Sequence, residues 1–66
     1  MTVIDVERLQ KAKEFIDGGG NCDSVSIENG LQITPEAIEW LKANHYQIKV
    51  AESFGPTGIT AIIYPV

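Results

Sequence analysis

Apolar and polar positions repeat along this chain with two different periods, and the changes of period mark its elements. From Thr2 to Asp17 the apolar residues Val6, Leu9, Ala12, Phe15 and Ile16 recur at helical spacing, which gathers them on one stripe of an amphipathic helix. Thr2 is the expected N-cap, its hydroxyl accepting from first-turn N–H groups. Asp5 and Glu7 lie near the positive end of the helix dipole, and Gly18-Gly19-Gly20 ends the helix. The period then falls to two. Val25 and Ile27 alternate with Ser24 and Ser26, and Leu31 and Ile33 flank Gln32, which predicts short strands over Ser24–Ile27 and Leu31–Ile33. Between them Glu28-Asn29-Gly30 is a turn, and Asn-Gly is the strongest short hairpin signal because both residues tolerate positive φ.

Helical spacing returns at Thr34-Pro35-Glu36. Thr34 caps, Pro35 takes the first helical position where its missing N–H costs nothing, and Glu36 faces the dipole. Ala37, Ile38, Trp40 and Leu41 supply the apolar side, and Asn44 or His45 ends the helix. Tyr46, Ile48 and Val50 alternate with Gln47, Lys49 and Ala51, the pattern of a half-buried strand. After the Gly- and Pro-rich Phe54–Gly58, Ile59–Tyr64 is apolar on both faces, with Ile59, Ala61 and Ile63 on one and Ile62 and Tyr64 on the other. Such a strand expects cover on both sides. The reading is a single α+β domain over residues 1–66, with two helices on one face of an antiparallel sheet of about four short strands.

Size changes the picture next. A chain of 66 residues buries only about 60% of its unfolded surface, so its stability is marginal without a staple. Cys22 is the one cysteine, which rules out an internal disulfide, and Cys22 with His45 falls short of a zinc set. Self-association remains as the staple. The formal net charge of −4, with five scattered basic residues, argues against nucleic acid, which needs clustered Lys and Arg. No apolar run approaches the roughly 20 residues of a membrane span. MTVIDVERLQ lacks the basic start and apolar stretch of a secretory signal, and a lone thiol fits a reducing cytoplasm.

Candidate chemistry is sparse. The glycine triplet lacks the spacing of a phosphate loop and follows a helix instead of opening one. Cys22 and His45 are the sole candidates for a nucleophile and base, and each has a simpler role, at a strand start and at a helix end. Glu28, Glu36 and Glu39 read as a solvated face. Trp40, Tyr46, Phe54 and Tyr64 read as core or interface aromatics.

At Ile33-Thr34-Pro35-Glu36-Ala37 the chain resembles the N-terminal segment of microcompartment-associated ethanolamine-utilisation proteins, where a charged helix, a strand, an ITP helix and an Ile-containing strand follow in this order. The resemblance covers Asp5 to Val50. It departs at Ile38, where that family has Arg, and it does not include the large downstream domain that carries the family's activity, so it transfers no catalytic residue. Thr34, Pro35 and Ala37, with Gly55-Pro56-Thr57-Gly58 and Thr60, also look like the peripheral subunit-binding domain of acyltransferases. The basic partner-binding residues of that domain are absent here, and Ile59–Tyr64 reads as strand where it has helix.

The expected function is that of a small, non-enzymatic interaction module in the cytoplasm, needing no cofactor. It associates with itself, a dimer being favoured, or docks on a larger protein. The expected interface residues are Ile59, Ile62, Tyr64, Trp40 and Phe54, with a second copy packing on the Ile62/Tyr64 face or pairing with the edge of that strand. The alternatives are a subunit of an enzyme or ligand-binding assembly whose site forms between protomers, and an acidic phage-type inhibitor.

Overall fold

The computed structural model describes residues 1–52 and 58–66. In chain order the elements are β1 (Thr2–Ile4), α1 (Val6–Asp17), β2 (Asp23–Ile27), β3 (Leu31–Ile33), α2 (Pro35–Asn44), β4 (Tyr46–Glu52) and β5 (Ile59–Pro65). Strands β2, β5 and β4 form an antiparallel sheet in that order, and β1 pairs with β3 in a separate parallel ribbon. The α+β class holds, with one strand more than the periodicity suggests.

The extra strand corrects the start of the first helix. Thr2-Val3-Ile4 is a β-branched run, stiff at χ1 and suited to a pleated surface. It forms β1, and the cap passes to Asp5, whose Oδ1 accepts from the Arg8 N–H at 2.9 Å. Helix α1 therefore starts at Val6. It ends as expected in the glycine triplet, where Gly19 adopts φ 121°, a value that side-chain-bearing residues rarely reach. The Arg8 guanidinium then reaches across to Asp23 at 2.7 Å, tying α1 to the first residue of β2.

A second correction concerns the hairpin. Asn29 and Gly30 do take positive φ, 58° and 97°, so the turn chemistry is as expected. The strands it joins nevertheless part company. β2 pairs with β5, Val25 opposite Ala61, and β3 pairs with β1, Thr2 opposite Leu31. The Thr2 N–H donates to the Gly30 carbonyl at 2.9 Å and the Thr34 N–H to the Ile4 carbonyl at 3.1 Å. A turn motif fixes the direction of the chain but does not choose its pairing partner. Here the seven-residue β5 offers β2 a longer ladder than the three-residue β3 could.

Helix α2 follows the sequence reading closely. Thr34 caps it, accepting from Ala37 N–H at 3.1 Å, Pro35 opens it, and His45 ends it in the left-handed conformation (φ 58°, ψ 49°). Both helices lie on the sheet face carrying Tyr46, Ile48, Ala61 and Ile63. The fully buried centre is Ile4, Leu9, Ala12, Ala37, Ala61 and Ile63, with Tyr46 nearly so. Three of these are alanines, one each from α1, α2 and β5, which lets the three elements approach closely. No described helix is long and apolar enough to cross a membrane.

Candidate interaction surface

The backbone polarity of the outer strands follows from the register. In an antiparallel ladder, opposite residues alternate between pairs that exchange hydrogen bonds and pairs that do not. The Val66 N–H donates to the His45 carbonyl at 2.9 Å, so the next bonded pairs are Gln47–Tyr64, Lys49–Ile62 and Ala51–Thr60. The backbone groups of Tyr46, Ile48, Val50 and Glu52 must then point away from β5. No described residue bonds to them. Pro65 stands opposite Tyr46, a position that asks for no ladder donor toward β4, and this accommodates its missing N–H.

The other outer edge, on β2, is contacted at one end only. By the same alternation Ser24 and Ser26 turn their backbone groups outward. The Thr2 hydroxyl sits against this edge, accepting from the Glu28 N–H at 2.8 Å and lying 3.4 Å from the Ser26 and Glu28 carbonyls. The residue expected to cap a helix instead touches the end of a sheet edge. Among the described residues, β4 is the outer strand that presents the longer unbroken row of unpaired backbone groups, from Tyr46 to Glu52.

Beside that edge runs a groove of about 510 Å³ between α2 and β4. Its lining is mainly apolar, with Ile33, Ile38, Leu41, Ile48 and Val66 against the polar Lys42, His45 and Gln47. Ile38 is 42% exposed and Val50 54%, high values for large aliphatic side chains on a strand and helix that face the core. The helix sets this arrangement: Ala37 is fully buried beneath it, so the neighbouring Ile38 is turned toward the rim.

The residues expected at an interface do not converge on this surface. Ile62 and Tyr64 lie on the outer face of β5, half-buried, and the Tyr64 hydroxyl donates to the Gln47 Oε1 at 2.9 Å. Ile59 belongs to the helix-side row but is 47% exposed at the open end of the strand. Trp40 is half-buried, its ring centroid 5.3 Å from that of Tyr46 in a tilted stack that seals the core. Phe54 lies outside the described residues. The expectation that a partner pairs with the edge of Ile59–Tyr64 is overturned, because β5 is the central strand with a neighbour on each side. The demand for cover on its outer face is also smaller than the sequence implied. Ile62 is flanked there by Ser24 and Lys49, and Thr60 by Ser26 and Ala51, so one isoleucine sits in a mostly polar row. Sequence reasoning missed Ile38, Val50 and the β4 edge, although the clean alternation of Tyr46–Ala51 with no proline was already a signal for a pairing-competent strand.

Cys22 and His45 are not brought together. Cys22 is exposed just before β2, His45 adjoins β4, and β5 runs between them, about 9–10 Å from one outer strand to the other. Glu28, Glu36 and Glu39 are all exposed. Among the described residues no three His, Cys, Asp or Glu side chains cluster as a metal site would require. No protein-family model, curated protein or solved structure matches the chain.

Proposed function

We propose that this chain is a small, non-catalytic protein-interaction module of the cytoplasm that works by self-association. The observation that carries the proposal is the open β4 edge beside an apolar groove. A strand with unpaired N–H and C=O groups is a template for another strand, and edge addition with neighbouring side-chain pockets is a recurrent mode of recognition. The energetics favour it too. A domain of this size draws only about 3–5 kcal/mol from its core, and association adds stability by mass action. The separation of Cys22 from His45 supports binding over catalysis. The residues behind both family resemblances, Thr34, Pro35 and Ala37, are accounted for by starting α2 and point to no further activity.

Sedimentation equilibrium of the full chain from low micromolar to millimolar concentration tests this reading, with thermal melts at each concentration. The expected outcome is a rising mass and a melting temperature that climbs with concentration. A folded monomer with an unchanging melt over the whole range would overturn self-association.

A further inference from the structure

We propose that two copies pair through their β4 edges, antiparallel, about a twofold axis passing beside Ile48, and so join two three-stranded sheets into one of six strands. This rests on the self-association reading and specifies its geometry.

The outward backbone groups belong to Tyr46, Ile48, Val50 and Glu52, so a second β4 must bond through the same set. Three registers keep most of the strand paired, with the axis beside Ile48, Lys49 or Val50. An axis at Lys49 sets Lys49 directly against its own copy, and like charges directly opposite are destabilising. An axis at Val50 sets Ile48 against Glu52 of the second copy, an apolar residue against a charge. Only the axis at Ile48 satisfies both faces. On the helix side, Ile48 meets Ile48, and each Val50 meets Tyr46 of the other copy, which continues the apolar row across the junction. On the outer face each Lys49 meets Gln47, a neutral acceptor for its ammonium.

Apart from Lys49 and the terminal Glu52, the strand lacks the usual protections of an edge. It has no proline and no bulge, since its register against β5 is unbroken from Tyr46 to Glu52, and its one lysine, Lys49, is on the outer face rather than among the helix-side residues. The exposed aliphatics also lie where this arrangement needs them. Val50 is on the joined row, and the exposed Ile38 lines the groove that runs beside it between α2 and β4. Twofold pairing of one patch with itself is the commonest closed assembly.

Disulfide trapping reads the register directly. In a Cys22→Ser background, Gln47→Cys and Lys49→Cys chains are prepared separately, then oxidised alone and as an equimolar mixture. The axis at Ile48 places position 47 opposite position 49, a pair without backbone hydrogen bonds whose Cα atoms lie about 4.5 Å apart, within reach of a disulfide. The mixture should cross-link at least tenfold faster than either chain alone. Rapid cross-linking of Lys49→Cys alone would overturn this register in favour of the axis at Lys49. A dimer by sedimentation with no trapping in any mixture would overturn the axis at Ile48 and that at Lys49 while leaving self-association standing. A monomer at every concentration would remove both. As a second readout, Val50→Lys changes a side chain already 54% exposed in the single chain, so it should fold while weakening the dimer at least tenfold. An unchanged dimer in Val50→Lys would also overturn the proposal.

Discussion

Removing the hydroxyl of Thr34 should be unusually costly for a helix cap, and the reason is a complete accounting of the N-terminal donors of α2. A helix start leaves four N–H groups without intrahelical partners. Here the Thr34 N–H is taken by the Ile4 carbonyl, and Pro35 has none to offer. The exposed Glu36 can give its N–H to water. The fourth, on Ala37, goes to Thr34 Oγ1 at 3.1 Å, and Ala37 is fully buried. In Thr34→Ala that donor loses its acceptor in a place water does not reach. Cap removal typically costs about 1 kcal/mol, and an unsatisfied buried donor costs about 1–3 kcal/mol, so about 2 kcal/mol is expected. For a domain of this size 1 kcal/mol shifts Tm by about 4–8 °C, giving a fall of roughly 10 °C in a circular-dichroism melt. Asp5→Ala is the internal comparison. Its partner Arg8 N–H is at 2.9 Å, in a residue that is only half-buried, so water can replace the cap and the loss should be about half as large. Thr34→Ser should retain most of the stability. If Asp5→Ala proves as damaging as Thr34→Ala, burial is not what sets the cost, and the accounting fails.

Three further outcomes follow from the same packing. Ile63→Ala empties a fully buried site in the central strand and should cost about 2–5 kcal/mol, enough to unfold much of the population, while Ile62→Ala should cost less than half of that; the reverse order in paired denaturation curves would mean that β5 has slipped by one residue. His45→Gly relieves a non-glycine residue held at φ 58° and should raise stability in dilute protein by roughly 0.5–1 kcal/mol, whereas a loss would show that the imidazole contributes more than its backbone strain. The Lys13 ammonium donates to Asp17 at 2.8 Å, and this hydrogen bond and the charge of Asp17 raise its pKa above the ordinary lysine value. Because the folded-state value is the higher one, its contribution is fully present at neutral pH and is lost as pH climbs through the lysine range, so in an NMR titration Asp17→Asn should move the Lys13 midpoint down.

Local signals were legible and pairings were not. Thr34, Pro35 and His45 set the bounds of α2 by contacts within a few residues of themselves, and the alternation of Tyr46–Ala51 set the inward row of β4. The Asn29-Gly30 turn was equally legible as a turn. What it could not convey is that β2 would leave β3 for β5, because that choice compares ladders between segments distant in the chain. β1 was hidden for a related reason. Three β-branched residues are too few to show a period, and they become a strand only because Leu31–Ile33 is available to pair with them. The proposed interaction surface inherited this blind spot. Ile59–Tyr64 was singled out because both its faces are apolar, yet an edge is a property of strand order, and strand order placed β4 outside and β5 within.

That order has a consequence for how the chain is made. The strand that holds β2 and β4 together follows both of them in the chain, so the three-stranded sheet cannot begin to assemble on the ribosome until β5 has emerged. With residues added at about 5–20 per second, β4 waits as a lone, pairing-competent strand for roughly 0.7–2.6 s, far longer than the microseconds a hairpin needs to close. During that interval a nascent chain on the same messenger is the nearest strand of matching sequence. If β4 edges pair as proposed, the timing of translation then bears on the first partner that β4 meets, alongside equilibrium.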